Sequence, residues 1–174
     1  DVICAHSGFG ASLFLKQAFP GVPLLGHFEW FYHGRNGDGD YLDPAVATED
    51  FVCAAWTRNA QLLLDLAQCD RGICPTEFQR SRFPAAFRDR LTVLHEGVDT
   101  DLYRPAPGTS LALPGLDLSP AGEIVTYATR GMEPYRGFPQ FMRAAAIVQA
   151  RRPKAHIVIA GSDSVHYGAR PADG

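Results

Sequence analysis

Arg130 and Arg136 stand six residues apart, between a β-branched, aromatic run at 123–129 and a run from Phe138 onward whose apolar residues recur at helical spacing. A helix start offers N–H groups without intrahelical partners and the positive end of its dipole. Two guanidinium groups beside it suit a phosphate or diphosphate. The same stretch also reads as an ordinary strand-to-helix loop carrying two solvated arginines. His6 closes an apolar run at 2–5, and open α/β sheets bind ligands at the carboxyl ends of their strands. A histidine there can donate to a substrate hydroxyl or act as acid or base; bonding to nearby backbone at a helix start is the equally weighted alternative. Gly8 and Gly10 follow it and let backbone approach a ligand or a neighbouring element.

Other candidates carry weaker signals. Glu29 lies among apolar and aromatic residues, which would favour its neutral form if they enclose it; a partly exposed position at a strand end is the alternative. Asp38 and Asp40 form an Asp-x-Asp pair of the kind that holds a divalent ion on a nucleotide diphosphate, but their glycine-rich surroundings fit a solvated turn better. His6, His27 and His33 lack the short spacing of a zinc site, so no metal is expected. Glu96, Gly97 and Asp99 run into a segment rich in proline and glycine, where two domains are expected to face each other across a substrate cleft.

The elements that must position these groups alternate strand and helix. Strands are expected at 2–5, 22–27, 71–74, 90–94, 123–129 and 155–160. Helices are expected at 11–18, with Ser7 as a plausible cap, after Thr48, from Pro75 to before Pro84, and from Phe138. Phe51, Ala55, Leu62, Leu63 and Leu66 should form the buried side of the second helix, and Phe138, Phe141, Met142, Ala145 and Val148 that of the last. A strand, a helix and a second strand in succession predict right-handed parallel crossovers.

The composition belongs to a globular chain: 174 residues, 46% hydrophobic, 20% charged, net charge -3. A mildly acidic total with scattered arginines argues against a nucleic-acid groove. No run approaches a membrane span, and Cys4, Cys53, Cys69 and Cys74 lack the paired spacing of a zinc site, so reduced thiols in a cytoplasmic protein are expected. The chain opens inside an apolar run and ends in a glycine- and proline-containing tail, the expected appearance of an internal piece of a longer protein.

Two motifs resemble glycosyltransferase family 4, the retaining sugar-nucleotide transferases of the GT-B fold. Residues 93–105, with Gly97-Val98-Asp99 followed by Tyr103 and Pro105, look like the family's interdomain segment. Arg130 to Gly137 looks like the arginine, spacer, lysine, glycine element that opens its nucleotide-binding domain, with Arg136 in place of the commoner lysine. His95 and Glu96 likewise replace the usual residues before Gly97.

The resemblance implies an α/β fold made of parts of two Rossmann-like domains, with parallel sheets flanked by helices. Residues 1–103 would belong to the acceptor-side domain, 104–122 to a linker, and 123–174 to the start of the nucleotide-sugar domain. It implies a nucleotide-diphosphate sugar as donor and a carbohydrate or other hydroxyl compound as acceptor, with no cofactor. Arg130, Gly131 and Arg136 would hold the diphosphate and His6 would act near the donor sugar. Gly8, Gly10, Glu29, Gly97 and Asp99 would line the cleft. Peripheral membrane association of the whole protein stays open. The family's downstream pair of glutamates is absent from 1–174, so this chain alone is expected to be inactive. The alternative is a non-catalytic nucleotide- or phosphosugar-binding module.

Overall fold

A computed structural model describes residues 1–10, 12–109, 112–113, 115–118 and 120–166. The chain divides into two compact units, Asp1–Tyr103 and Arg104–Gly174.

The first unit is built on a parallel sheet in which β1 (Ile3–His6), β2 (Leu24–His27), β3 (Arg71–Cys74) and β4 (Leu91–Val93) lie side by side in chain order. The pairing of β1 with β2 runs from Ile3 against Leu24 to His6 against His27, so both strands end on a histidine. Gly26 of β2 is paired with Gly72 of β3. A methyl group on either would strike a neighbour: the Gly26 Cβ would lie 2.5 Å from the Phe28 ring, and the Gly72 Cβ 2.6 Å from Leu91 and 3.1 Å from Phe28. The two glycines therefore form a lane into which the fully buried Phe28 folds back, meeting Phe83 edge to face at 6.1 Å.

The long helix α2 (Glu49–Gln68, after the short α1 described below) covers this core. Thr48 caps it, its hydroxyl accepting from the Phe51 N–H at 3.3 Å, with Glu49 and Asp50 in the first turn where negative charge complements the dipole. Ala55, Asn59, Leu62, Asp65 and Leu66 are buried; Leu62 and Leu66 join Leu24, Phe28, Phe31, Phe83 and Leu91 in the core, while Phe51 and Leu63 are only half-buried. Asn59 clamps the segment after β2, accepting from the Tyr32 N–H and donating to the Tyr32 carbonyl at 2.9 and 2.7 Å. The helices α3 (Glu77–Arg82) and α4 (Ala85–Arg88) lead into β4, α3 beginning at Thr76, whose hydroxyl accepts from the Gln79 N–H.

The expected helix at 11–18 shrinks to α1 (Leu15–Ala18), preceded by turns and by Phe14 at its cap without a side-chain bond. Its expected first residue, Ala11, lies outside the described residues. Ser7 does not cap it, because its hydroxyl donates to Asp65 of α2.

In the second unit a two-residue antiparallel pair, β5 (Ala112–Leu113) and β6 (Leu116–Asp117), precedes a strand-helix-strand unit of β7 (Ile124–Gly131), α5 (Phe138–Arg151) and β8 (His156–Ser162). The strands β7 and β8 are parallel, with an irregularity between Ala128 and Gly131. Tyr127 of β7 packs on Phe138 and Phe141 with ring centroids 5.4 and 4.8 Å apart. The expectation that five α5 residues are core is corrected: Ala145 is buried, Phe138, Phe141 and Val148 are half-buried, and Met142 is exposed. Two strands are a narrow platform, and α5 presents a wider apolar stripe than they cover.

Among the described residues no helix is long and apolar enough to cross a membrane. Burial raises the thiol pKa of Cys69 and Cys74, while Cys4 and Cys53 are exposed, and all four are unpaired in disulfide terms.

Candidate functional site

The parallel register of β1 and β2 brings two imidazoles together at the carboxyl ends of the strands. His6 and His27 meet nearly edge to face, with centroids 4.8 Å apart. Each faces a carboxylate: His6 Nε2 lies 3.4 Å from Glu29, two residues beyond β2, and His27 Nε2 lies 3.8 Å from Glu96, beyond β4. His6 Nδ1 sits 2.8 Å from the Ser7 carbonyl oxygen. A carbonyl only accepts, so Nδ1 carries the hydrogen. Nε2 is then an acceptor in the neutral ring and a second donor, toward Glu29, in the protonated one. His6 thus bonds to local backbone, as one of its two readings has it, and its other nitrogen faces Glu29, with the side chain about one-third (32%) exposed.

The loop after His6 is held from below. Ser7 and Ser12 both donate to the same oxygen of Asp65, at 2.6 and 2.7 Å, and all three residues are buried. Gly8 and Gly10 take φ values of +102° and +82°, a region that side chains with a Cβ rarely enter. A Gly8 Cβ would only touch Leu62, so backbone conformation rather than crowding calls for glycine there. Phe9, between them, is 80% exposed with its ring 4.7 Å from His6. Asp65 and His27 are the site's contributors that spacing did not single out in these roles. Asp65 reads as one more polar residue of an amphipathic helix, since its partners lie more than fifty residues away in sequence.

Glu29 is not enclosed by the aromatic residues around it; its side chain is 58% exposed. Asp99 closes a local turn, accepting from the Asp101 and Leu102 N–H groups at 3.0 and 3.1 Å. Gly97 has φ +72° and open space where a side chain would stand, and its N–H donates to His95 Nδ1.

Asp40 turns its carboxylate inward on its own loop, accepting from Asn36 and Gly37 N–H groups at 2.7 and 2.8 Å. These bonds, Gly37 first, lower its pKa. His33 Nε2 lies 2.9 Å from the Arg82 carbonyl oxygen. Among the described residues no three His, Cys, Asp or Glu side chains gather in a way that could hold a metal ion.

In the second unit the strand extends further than expected, so Arg130 is a residue of β7 rather than of the loop before α5, and it is exposed. Arg136 closes a 3-10 turn, Pro134–Arg136, and Gly137 at φ +73° leads into α5. The Arg136 Nε lies 3.3 Å from Glu133 Oε1. Glu133 is fully buried and also accepts the His166 N–H, tying the β7–α5 connection to the segment after β8. That segment crosses so closely over Gly131 that a Cβ there would lie 2.5 Å from the Ser164 carbonyl oxygen. Gly131 is thus required by packing in addition to any ligand. The Ser162 hydroxyl donates to the Arg130 carbonyl at 2.9 Å, bracing the same corner.

In open parallel α/β sheets ligands bind at the carboxyl ends of the strands, and here histidines and carboxylates stand at those ends. The family described as Glycosyl transferase family 4 group matches residues 1–103. The chain belongs to that family, and glycosyl transfer between a sugar donor and an acceptor is its general activity. No curated protein matches the chain significantly.

Proposed function

We propose that the protein moves a sugar from a nucleoside-diphosphate sugar to a hydroxyl acceptor with retention of configuration and without a metal ion. The observation that carries this reading is His6, whose fixed Nδ1–H leaves Nε2 on the carboxyl-end surface of the family-matched unit. There it can hold a sugar hydroxyl or take its proton. Arg130, Gly131 and Arg136 receive the donor diphosphate, whose negative charge grows as the glycosidic bond breaks. Guanidinium groups stabilise that charge most where water is excluded. Gly8, Gly10, Glu29, Gly97 and Asp99 border the substrates.

The role of the arginines is tested by calorimetric titration with UDP, GDP and ADP. For the nucleotide that binds best, Arg130→Ala is expected to weaken binding by about tenfold, the loss of one charge-assisted contact, with unchanged thermal stability because Arg130 is exposed. Arg136→Ala is expected to weaken binding comparably and also to lower stability, since it removes the ion pair with the buried Glu133. Unchanged affinity in both variants contradicts the diphosphate assignment. Tight nucleotide binding with no sugar transfer from any donor favours a non-catalytic binding module.

A further inference from the structure

We infer that Phe9 is a sugar-stacking platform, on which the apolar face of a pyranose ring lies with its edge toward His6; the inference rests on the glycosyl-transfer reading. Lone exposed aromatic rings are common on protein surfaces, and Phe14 is such a ring here. Phe9 differs in three ways. Its ring touches the imidazole at the strand end, 4.7 Å away and inclined at 44°, so the two rings form a corner rather than a flat patch. It stands between two glycines of positive φ, and a Cβ at Gly10 would meet nothing within 4 Å beyond its chain neighbours. The residues flanking this turn are anchored, Ser7 and Ser12 both donating to the buried Asp65. An idle surface turn has no need of two buried hydroxyls on one buried carboxylate. A turn that must hold a ring at a set height over the strand ends does, because ordering it beforehand lowers the entropy lost on binding.

The chemistry of that corner is specific. A pyranose presents C–H groups on one face and hydroxyls around its rim. The electron-rich face of a benzene ring attracts the former, and His6 Nε2 and Glu29 are placed for the latter. The pyranose can be that of the donor or that of the acceptor, and the two sources are separable by kinetics.

Two measurements test the platform. In the first, the chain carries 4-fluorophenylalanine, and the Phe9 fluorine signal is assigned by its loss in Phe9→Leu. Titration with the methyl pyranosides of glucose, mannose, galactose and N-acetylglucosamine is expected to shift that signal with at least one sugar, and titration with the open-chain polyol mannitol is not. A Phe9 signal unmoved by all four, or moved equally by mannitol, overturns the proposal. In the second, the complete enzyme is assayed for transfer from UDP- and GDP-sugars. Phe9→Ala is expected to raise one KM by about five- to tenfold, with kcat changed less and with Phe9→Trp restoring the KM. A raised donor KM assigns the platform to the donor sugar and a raised acceptor KM to the acceptor; unchanged KM values for both contradict it. Absence of transfer by the unmutated enzyme sinks the transferase reading instead, and the fluorine signal still decides Phe9.

Discussion

His6→Ala is expected to lower sugar transfer by the complete enzyme by roughly a hundredfold or more, the size of effect a positioned proton-transfer group supplies, while leaving stability nearly unchanged. The stability half follows from exposure. The ring is about one-third exposed and its one short bond is to the Ser7 carbonyl, which water can replace. The activity half follows from geometry. With Nδ1 bound to that carbonyl, Nε2 is the nitrogen left at the carboxyl ends of β1 and β2, between Glu29, His27 and Phe9. Alanine removes the nitrogen and leaves the neighbouring groups in place. Steady-state kinetics beside a thermal melt checks both. Transfer reduced by less than about fivefold would remove His6 from the chemistry, since even a single lost neutral hydrogen bond costs about that much.

Asp65→Ala is expected to destabilise the first unit by about 3 kcal/mol, because two hydroxyls that bond to a charged acceptor lose it while buried. Asp65→Asn keeps one acceptor oxygen and should recover part of that loss. Urea unfolding reads the difference as a shift in midpoint at unchanged slope. Transfer should fall as well, since Ser7 directly follows His6 and the turn that carries Phe9 is fastened through Asp65. Asp65 is expected to act as a positioning residue, through the loop that Ser7 and Ser12 fasten to it. Its signature is a raised KM that Asp65→Asn partly rescues. A destabilisation below about 0.5 kcal/mol, the range of an ordinary surface change, would show that the staple is not a structural determinant.

The strands were legible because β-branched and apolar residues cluster in short runs, and β3 falls at 71–74 as expected. The α2 cap was legible for a local reason, Thr48 followed by Glu49 and Asp50. What the chain order hid is non-local. The register that sets His6 against His27 is a property of strand pairing. Asp65 recruits Ser7 and Ser12 across more than fifty residues, which also takes Ser7 from the helix start where spacing had put it and leaves α1 only four residues long. In the second unit the arginines were visible as charges before a helix. The buried Glu133 three residues before Arg136 was equally visible as a letter, but its burial depends on the segment after β8 folding back over Gly131. Met142 sits at core spacing yet is exposed, since periodicity reports which side of a helix is apolar and not how much of it finds cover.

Metal-free sugar transfer from a nucleoside-diphosphate donor is tested by incubating the complete enzyme with UDP-, GDP- and ADP-linked hexoses and a sugar acceptor in the presence of EDTA. Released nucleoside diphosphate and the anomeric proton of the first-formed product are followed by NMR. Equal release of nucleoside diphosphate and glycoside, with the donor's anomeric configuration kept and with activity undiminished by the chelator, is the predicted result. Inverted product, or transfer abolished by EDTA and restored by a divalent ion, would contradict it.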